Sequence, residues 1–161
     1  MKPAPASLGQ KLLRHWECFQ KIPLIGKALY SLYLSLLVPY SGSVRPRVLV
    51  FQKGKVELLL RDHPDFRNHL KSVHAIALSN IAELASGLAV ISSLPPGARS
   101  IVTRLEIDYY KKSRGDIRAV SEFAWPEGES SKSTTLIAVA HLYDSRGDQV
   151  SQMKAHWRID F

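Results

Sequence analysis

The chain has 161 residues, 45% of them hydrophobic and 22% charged, so it is expected to be one domain with enough apolar material for a full core, and intrinsic disorder is excluded. Its 22 Lys and Arg outnumber 14 Asp and Glu, a formal net charge of +8 that favours anionic partners; with no uninterrupted basic run and no helix-turn-helix, RRM or zinc-finger pattern, a phosphate-bearing small molecule is expected and nucleic acid is not. The single cysteine, Cys18, excludes an intramolecular disulfide and stands at no metal-ligand spacing, so a cytoplasmic protein without a metal site is expected.

The N-terminus, MKPAPASLGQKLLRHWECFQ, lacks the apolar core and cleavage site of a secretory signal and reads as a first helical segment. IPLIGKALYSLYLSLLVPY follows. It approaches the ~20 residues of a membrane span, but Pro23, Gly26, Lys27 and several hydroxyl residues interrupt it. Ile25, Leu29, Leu32 and Leu36 recur at helical spacing, and this stripe is expected to dock on the protein's own surface; contact with a membrane surface ranks second and a true span last. Residues 1–40 are therefore read as an N-terminal helical extension and 41–161 as the main domain.

Pro39 and YSGSVRPR break the helical period, and the pattern changes to alternation. RVLVFQ and KVELLLRD, separated by Lys53 and Gly54, predict a hairpin, and HPDFRNHLKS a loop. A long helix is predicted from about His74 to Ile91, stopped by SSLPPGA. Four extended segments complete the chain: SIVTRLEIDYYKK, DIRAVSEFAW, STTLIAVAHLYD and QVSQMKAHWRIDF, joined by SRG, PEGESSK and SRGD. The fold class is α+β. A helix apolar nearly all round must be enclosed, and an antiparallel, curved sheet of about six strands wrapped around it is the enclosure these elements offer.

Within the long helix Ser79, Asn80, Glu83, Ser86 and Gly87 share one face. Either this is a solvent face, or Glu83 is partly buried, which would raise its pKa and suit it to general-base work. The helix start offers the Ala75 and Ile76 N–H groups, directly after His74, to an oxyanion. Capping of that helix by Ser72 or Asn68 is the plainer reading, and the two uses are compatible. His74 alone reads as a structural loop-to-helix residue at least as readily as a catalytic one, and no second histidine completes a metal-binding pair.

Asn68, His74 and Glu83, together with IDYYKKSRGD and VPYSGSVRPRV, carry a resemblance from about residue 22 to the C-terminus. The chain resembles hotdog-fold acyl-CoA thioesterases of the phenylacetyl-CoA thioesterase (PaaI-like) group, and more closely an uncharacterised thioesterase-like hotdog subfamily. In the thioesterases an Asn precedes a His-Gly-Gly turn and an acidic residue follows nine positions after the His; here Glu83 stands there, while Ala75 and Ile76 replace the glycines and narrow the approach to the backbone. The resemblance implies an acyl-CoA or related thioester substrate. Glu83 would activate water or attack the thioester, Ala75 and Ile76 would hold the oxyanion, Asn68 would orient water or substrate, His74 would shape the turn, and Asn80 would line the substrate site. It also implies a homodimer or dimer of dimers, with sheets joined edge to edge and sites shared between subunits. Lys111, Lys112 and Arg114 become candidates for the nucleotide and pyrophosphate of coenzyme A, or are ordinary solvated hairpin charges. Coenzyme A enters only as part of the substrate, with no separate cofactor. The alternative is a non-catalytic acyl- or coenzyme-A-binding module on the same fold.

Overall fold

The computed structural model describes residues 7–126 and 132–161. In chain order it has α1 (Leu8–Gln20), α2 (Gly26–Leu37), α3 (Pro39–Gly42), β1 (Arg47–Gln52), β2 (Lys55–Leu60), a 3-10 turn at Pro64–Phe66, α4 (Ala75–Ser93), β3 (Arg99–Tyr109), β4 (Ile117–Glu122), β5 (Ser133–Tyr143) and β6 (Gln149–Asp160). The strands form one six-stranded antiparallel sheet in the order β1-β2-β4-β5-β6-β3. This is the expected α+β hotdog architecture, with α4 as the central helix. The PEGESSK joint between β4 and β5 falls mainly on residues outside the described ones.

The sheet can wrap α4 closely because the helix's buried side chains are mostly small: Ala77, Ala82, Ala85 and Ala89 alternate with Leu78, Ile81, Leu88 and Val90. By length and hydropathy alone α4 could cross a bilayer; here the sheet and α1 supply the apolar surroundings instead. Strand parity does the matching work on the sheet. Along β6 Ser151, Met153, Ala155, Trp157 and Ile159 are buried, and Gln152, Lys154, His156 and Arg158 between them are not. The β1–β2 turn holds Gly54 at φ 72°, where its N–H donates to Ser92 Oγ (2.9 Å) and its carbonyl accepts from Phe123 N–H (2.7 Å). That glycine ties the hairpin to the C-terminal end of α4.

Two local expectations are corrected. Pro39–Gly42, read as a plain break, forms a short helix, because Pro at the first helical position is preset in φ and lacks only an N–H that would be unpaired there. The stripe Ile25, Leu29, Leu32 and Leu36 does not dock: it faces outward, with Leu32 57% and Leu36 72% exposed. The face that docks carries Tyr30, Ser31 and Leu34. Tyr30 packs against Trp16, Phe19 and Phe51 and donates its hydroxyl to the Leu12 carbonyl (3.1 Å), while Ser31 Oγ accepts from Val48 N–H on β1 (2.9 Å). An aromatic ring and a small hydroxyl brought to a strand won over four aliphatic side chains.

Helix α1 starts at a reciprocal cap between Ser7 and Gln10 and buries Leu12 and Trp16. Gly9 lets it lie directly on the carbonyl of Ile91, near the end of α4.

Candidate active site

The polar face of α4 divides along its length. Ser86 and Gly87 are wholly buried, whereas Ser79, Asn80 and Glu83 are half-buried and border open space. Glu83 lines two cavities at once. One, of about 380 Å³, is a groove between α4, α3 and β3 whose walls include Tyr40, Ile76, Asn80 and Leu105. The other, of about 320 Å³, runs beneath α1 and is lined by Leu12, Leu34, Leu37, Leu88 and Trp157, with Glu83 its sole charged side chain among the described residues. Among the described residues the Glu83 carboxylate has no hydrogen bond and no ion pair, and burial pushes its carboxyl above the ordinary value of 4.5. Gly87, one turn on, helps keep this junction open: a Cβ there would meet the Trp157 ring at 3.1 Å and lie 4.0 Å from Glu83 Oε1.

The start of α4 is capped by neither Ser72 nor Asn68. His74 is the capping residue: its extended backbone (φ −65°, ψ 139°) brings Nδ1 to accept from Ile76 N–H at 3.1 Å. Of the two expected oxyanion donors, Ile76 N–H is therefore occupied, and Ala75 N–H is without a hydrogen bond among the described residues. Asn68 spends its Oδ1 on the N–H groups of Leu70 (2.9 Å) and Ser72 (3.2 Å), folding the loop before the helix. Asn80 donates from Nδ2 to the Tyr40 carbonyl (3.2 Å), fastening α3 to α4 at the mouth of the groove.

Seven of the nine expected site residues thus fall into two groups, His74 and Arg114 lining neither cavity. Ile76, Asn80 and Glu83 share the groove; Asn68, Ala75, Lys111 and Lys112 line a separate depression of about 230 Å³. Tyr109 stands between them, its hydroxyl bonded to Ser79 Oγ (2.7 Å) on the groove side and donating to the Ala75 carbonyl (3.1 Å). Lys111 bridges Asp144 (2.8 Å) and Asp148 (2.5 Å), so its ammonium ties the chain after β3 to the β5–β6 turn and holds the Asp144 carboxyl below the usual carboxylate range. Lys112 and Arg114 are exposed and without an ion pair among the described residues. Among those residues no group of three or more His, Cys, Asp or Glu side chains gathers as metal ligands would.

Sequence reasoning missed Tyr109, Trp157 and the α1 roof. Trp157 was accessible through the parity of β6, which places it on the inward face with Met153 and Ala155. Nothing local to Tyr109 announces a bond to a helix 30 residues away in sequence.

A family model described as Domain of unknown function (DUF4442) matches residues 26–159. No curated protein matches the chain. Among solved structures, one named only as a genomics target is 26% identical with a TM-score of 0.80, the match covering 93% of this chain and 98% of that one. A Pseudomonas aeruginosa protein of unknown function, named as a probable thioesterase, is 19% identical with a TM-score of 0.69, covering 78% of this chain and 89% of its own. A thioesterase family protein from Silicibacter pomeroyi is 15% identical with a TM-score of 0.66, covering 95% and 98%. The likeness to the last two is one of fold. With the match running from the first residue of α2 almost to the end of β6, the chain belongs to the DUF4442 family, and its own fold is that of a hotdog domain.

Proposed function

We propose that this protein hydrolyses an acyl thioester, such as an acyl-CoA, with Glu83 as the general base or nucleophile. One observation carries the reading: among the described residues the carboxylate stands unpaired where two apolar cavities meet. A structural glutamate in such surroundings ordinarily has a cation or several donors, because burying the charged form is otherwise costly. Among the described residues no partner offsets that cost for Glu83, which supports a role in a reaction.

The acyl chain lies in the cavity beneath α1, the thioester carbonyl comes to Glu83, and the rest of the thiol carrier leaves through the groove between α3 and β3. As a base, Glu83 takes a proton from water while the hydroxide equivalent adds to the carbonyl carbon; collapse of the tetrahedral species breaks the C–S bond, and the thiolate recovers the proton as free thiol. As a nucleophile, its oxygen displaces the thiolate and water then cleaves the anhydride. Eight residues of α4, about 12 Å of helical rise, separate Ala75 from Glu83, so the oxyanion donor in this proposal is the partner's Ala75 N–H, joined by the partner's Ile76 N–H when the partner's His74 ring turns away. Lys112 and Arg114 take the nucleotide phosphates.

A homodimer belongs to the same proposal. β3 is an edge strand that exposes Ile101, Leu105 and Tyr109, and the Glu83 groove opens beside it, so a second copy paired at this edge would wall the groove on its open side. The His74 ring over Ile76 N–H favours a second reading, a non-catalytic acyl- or coenzyme-A-binding module. A screen of short, long and aromatic acyl-CoAs, read as free thiol and in parallel as binding, decides between them. Thiol release with at least one class supports hydrolysis, binding without release supports the module, and neither binding nor release overturns both.

A further inference from the structure

The outward stripe of α2 has no role in the fold or in the proposed reaction. It begins at Leu24, which is fully exposed at the tip of the α1–α2 connection and held there in the left-handed region (φ 65°), an unfavourable backbone for a leucine. Ile25, Leu29, Leu32 and Leu36 continue it along the helix. Beside the stripe, between α2 and the chain leading into β1, lies an open groove of about 580 Å³ with Ala28, Leu32, Leu36 and Pro39 along it and Arg45 and Arg47 at its rim.

The stretch of chain that builds this surface is one-sided in charge. Between Cys18 and Val56 there is no Asp or Glu, while Lys21, Lys27, Arg45, Arg47, Lys53 and Lys55 are all basic. From other elements Asp65 reaches Arg45 (3.2 Å) and Glu122 reaches Lys55 (2.7 Å). Among the described residues no carboxylate lies within ion-pair distance of the remaining four.

We propose that the α2 stripe seats this protein on an anionic lipid surface, with Leu24, Ile25, Leu32 and Leu36 entering the acyl boundary and Lys21, Arg45 and Arg47 meeting headgroup phosphates. An amphipathic helix with apolar residues outward and a cationic surround binds the bilayer interface by both terms together. A second copy of the chain suits the stripe less well. A two-fold interface sets the same patch against itself, so two predominantly basic surfaces would face each other. The proposed pairing at β3 would leave the stripe uncovered, because α2 packs on β1, at the opposite edge of the sheet.

The test is flotation of the full chain with phosphatidylcholine vesicles, with and without phosphatidylglycerol, alongside light scattering. Wild type is expected to float with the anionic vesicles at least about tenfold more than with the neutral ones, and the difference to shrink in high salt. The combined variant L24S/L32S/L36S, altered only at exposed positions, should stay unbound at unchanged mass and melting temperature, and K21E/R47E should lose the preference for anionic lipid. Wild type that remains unbound, a serine variant that still floats, or a serine variant whose mass falls because the stripe joins copies of the chain, would each overturn the proposal.

Discussion

Replacing Gly9 by alanine tests whether α1 roofs a working cavity. The added methyl would fall inside the contact distance of the Ile91 carbonyl and 2.8 Å from Ser92 Cα. Both obstacles are backbone, so no rotamer change relieves them and α1 must lift from α4. The helix buries Leu12 at 2% and Trp16 at 3% exposure, and fully burying an aliphatic or aromatic side chain of this size is worth about 1.5–3 kcal/mol. Lifting exposes part of each, so a loss of about 2–4 kcal/mol is expected, or a fall in melting temperature of roughly 5–15 °C at this chain length. Because Leu8 and Leu12 line the cavity beyond Glu83, thiol release from long-chain acyl-CoAs should suffer more than release from short ones. The assay is differential scanning calorimetry with a chain-length series. A melting temperature within about 2 °C of wild type, with the chain-length profile unchanged, would refute the tight docking and the roof together.

Three further outcomes follow from the electrostatics. Burial raises the Glu83 carboxyl above its ordinary 4.5, so the fold favours the protonated form; that favour is complete below 4.5 and is lost as pH rises through the folded value. Glu83→Gln should accordingly melt at or above wild type near neutral pH, with the gap closing in acid, and a lower melting temperature at neutral pH would mean the carboxylate has a structural partner. Asp144 shows the opposite sign: Lys111 lowers its carboxyl, so Lys111→Met should destabilise at neutral pH and cease to do so as pH falls below about 3.8, a difference that thermal melts across pH would read. Charge reversal at Lys112 and Arg114 should weaken acyl-CoA binding more than binding of the free acid, measured calorimetrically, and less so in high salt; equal losses would remove them from the nucleotide site.

The architecture was legible because its signals are periodic. The switch from helical spacing to alternation at residue 47, the Lys53-Gly54 turn and the uniform apolarity of α4 each report burial directly, and burial is what the sheet provides. The partial burial of Glu83 was legible for the related reason that a lone acid in such a helix breaks its own pattern. What failed was anything decided by a competition for docking. Two faces of α2 were available, and the aliphatic one lost because Tyr30 and Ser31 bring hydrogen bonds to Leu12 and Val48 as well as surface. Likewise Ser72 and Asn68 were the expected caps of α4, and backbone conformation, invisible in composition, gave the position to His74. Lys111 counted as a free cation until the β5–β6 turn brought two carboxylates to it.

The central claim is that Glu83 is kept for chemistry, and it meets its most direct test in thiol release by Glu83→Gln at saturating acyl-CoA, measured beside binding of the same ester. Gln keeps the shape of the side chain and removes its charge. General-base contributions are typically ~100-fold to ~10,000-fold, so turnover should fall by at least about two orders of magnitude while ester binding persists. Turnover that survives the substitution, in a protein that binds its ester as wild type does, would contradict the account.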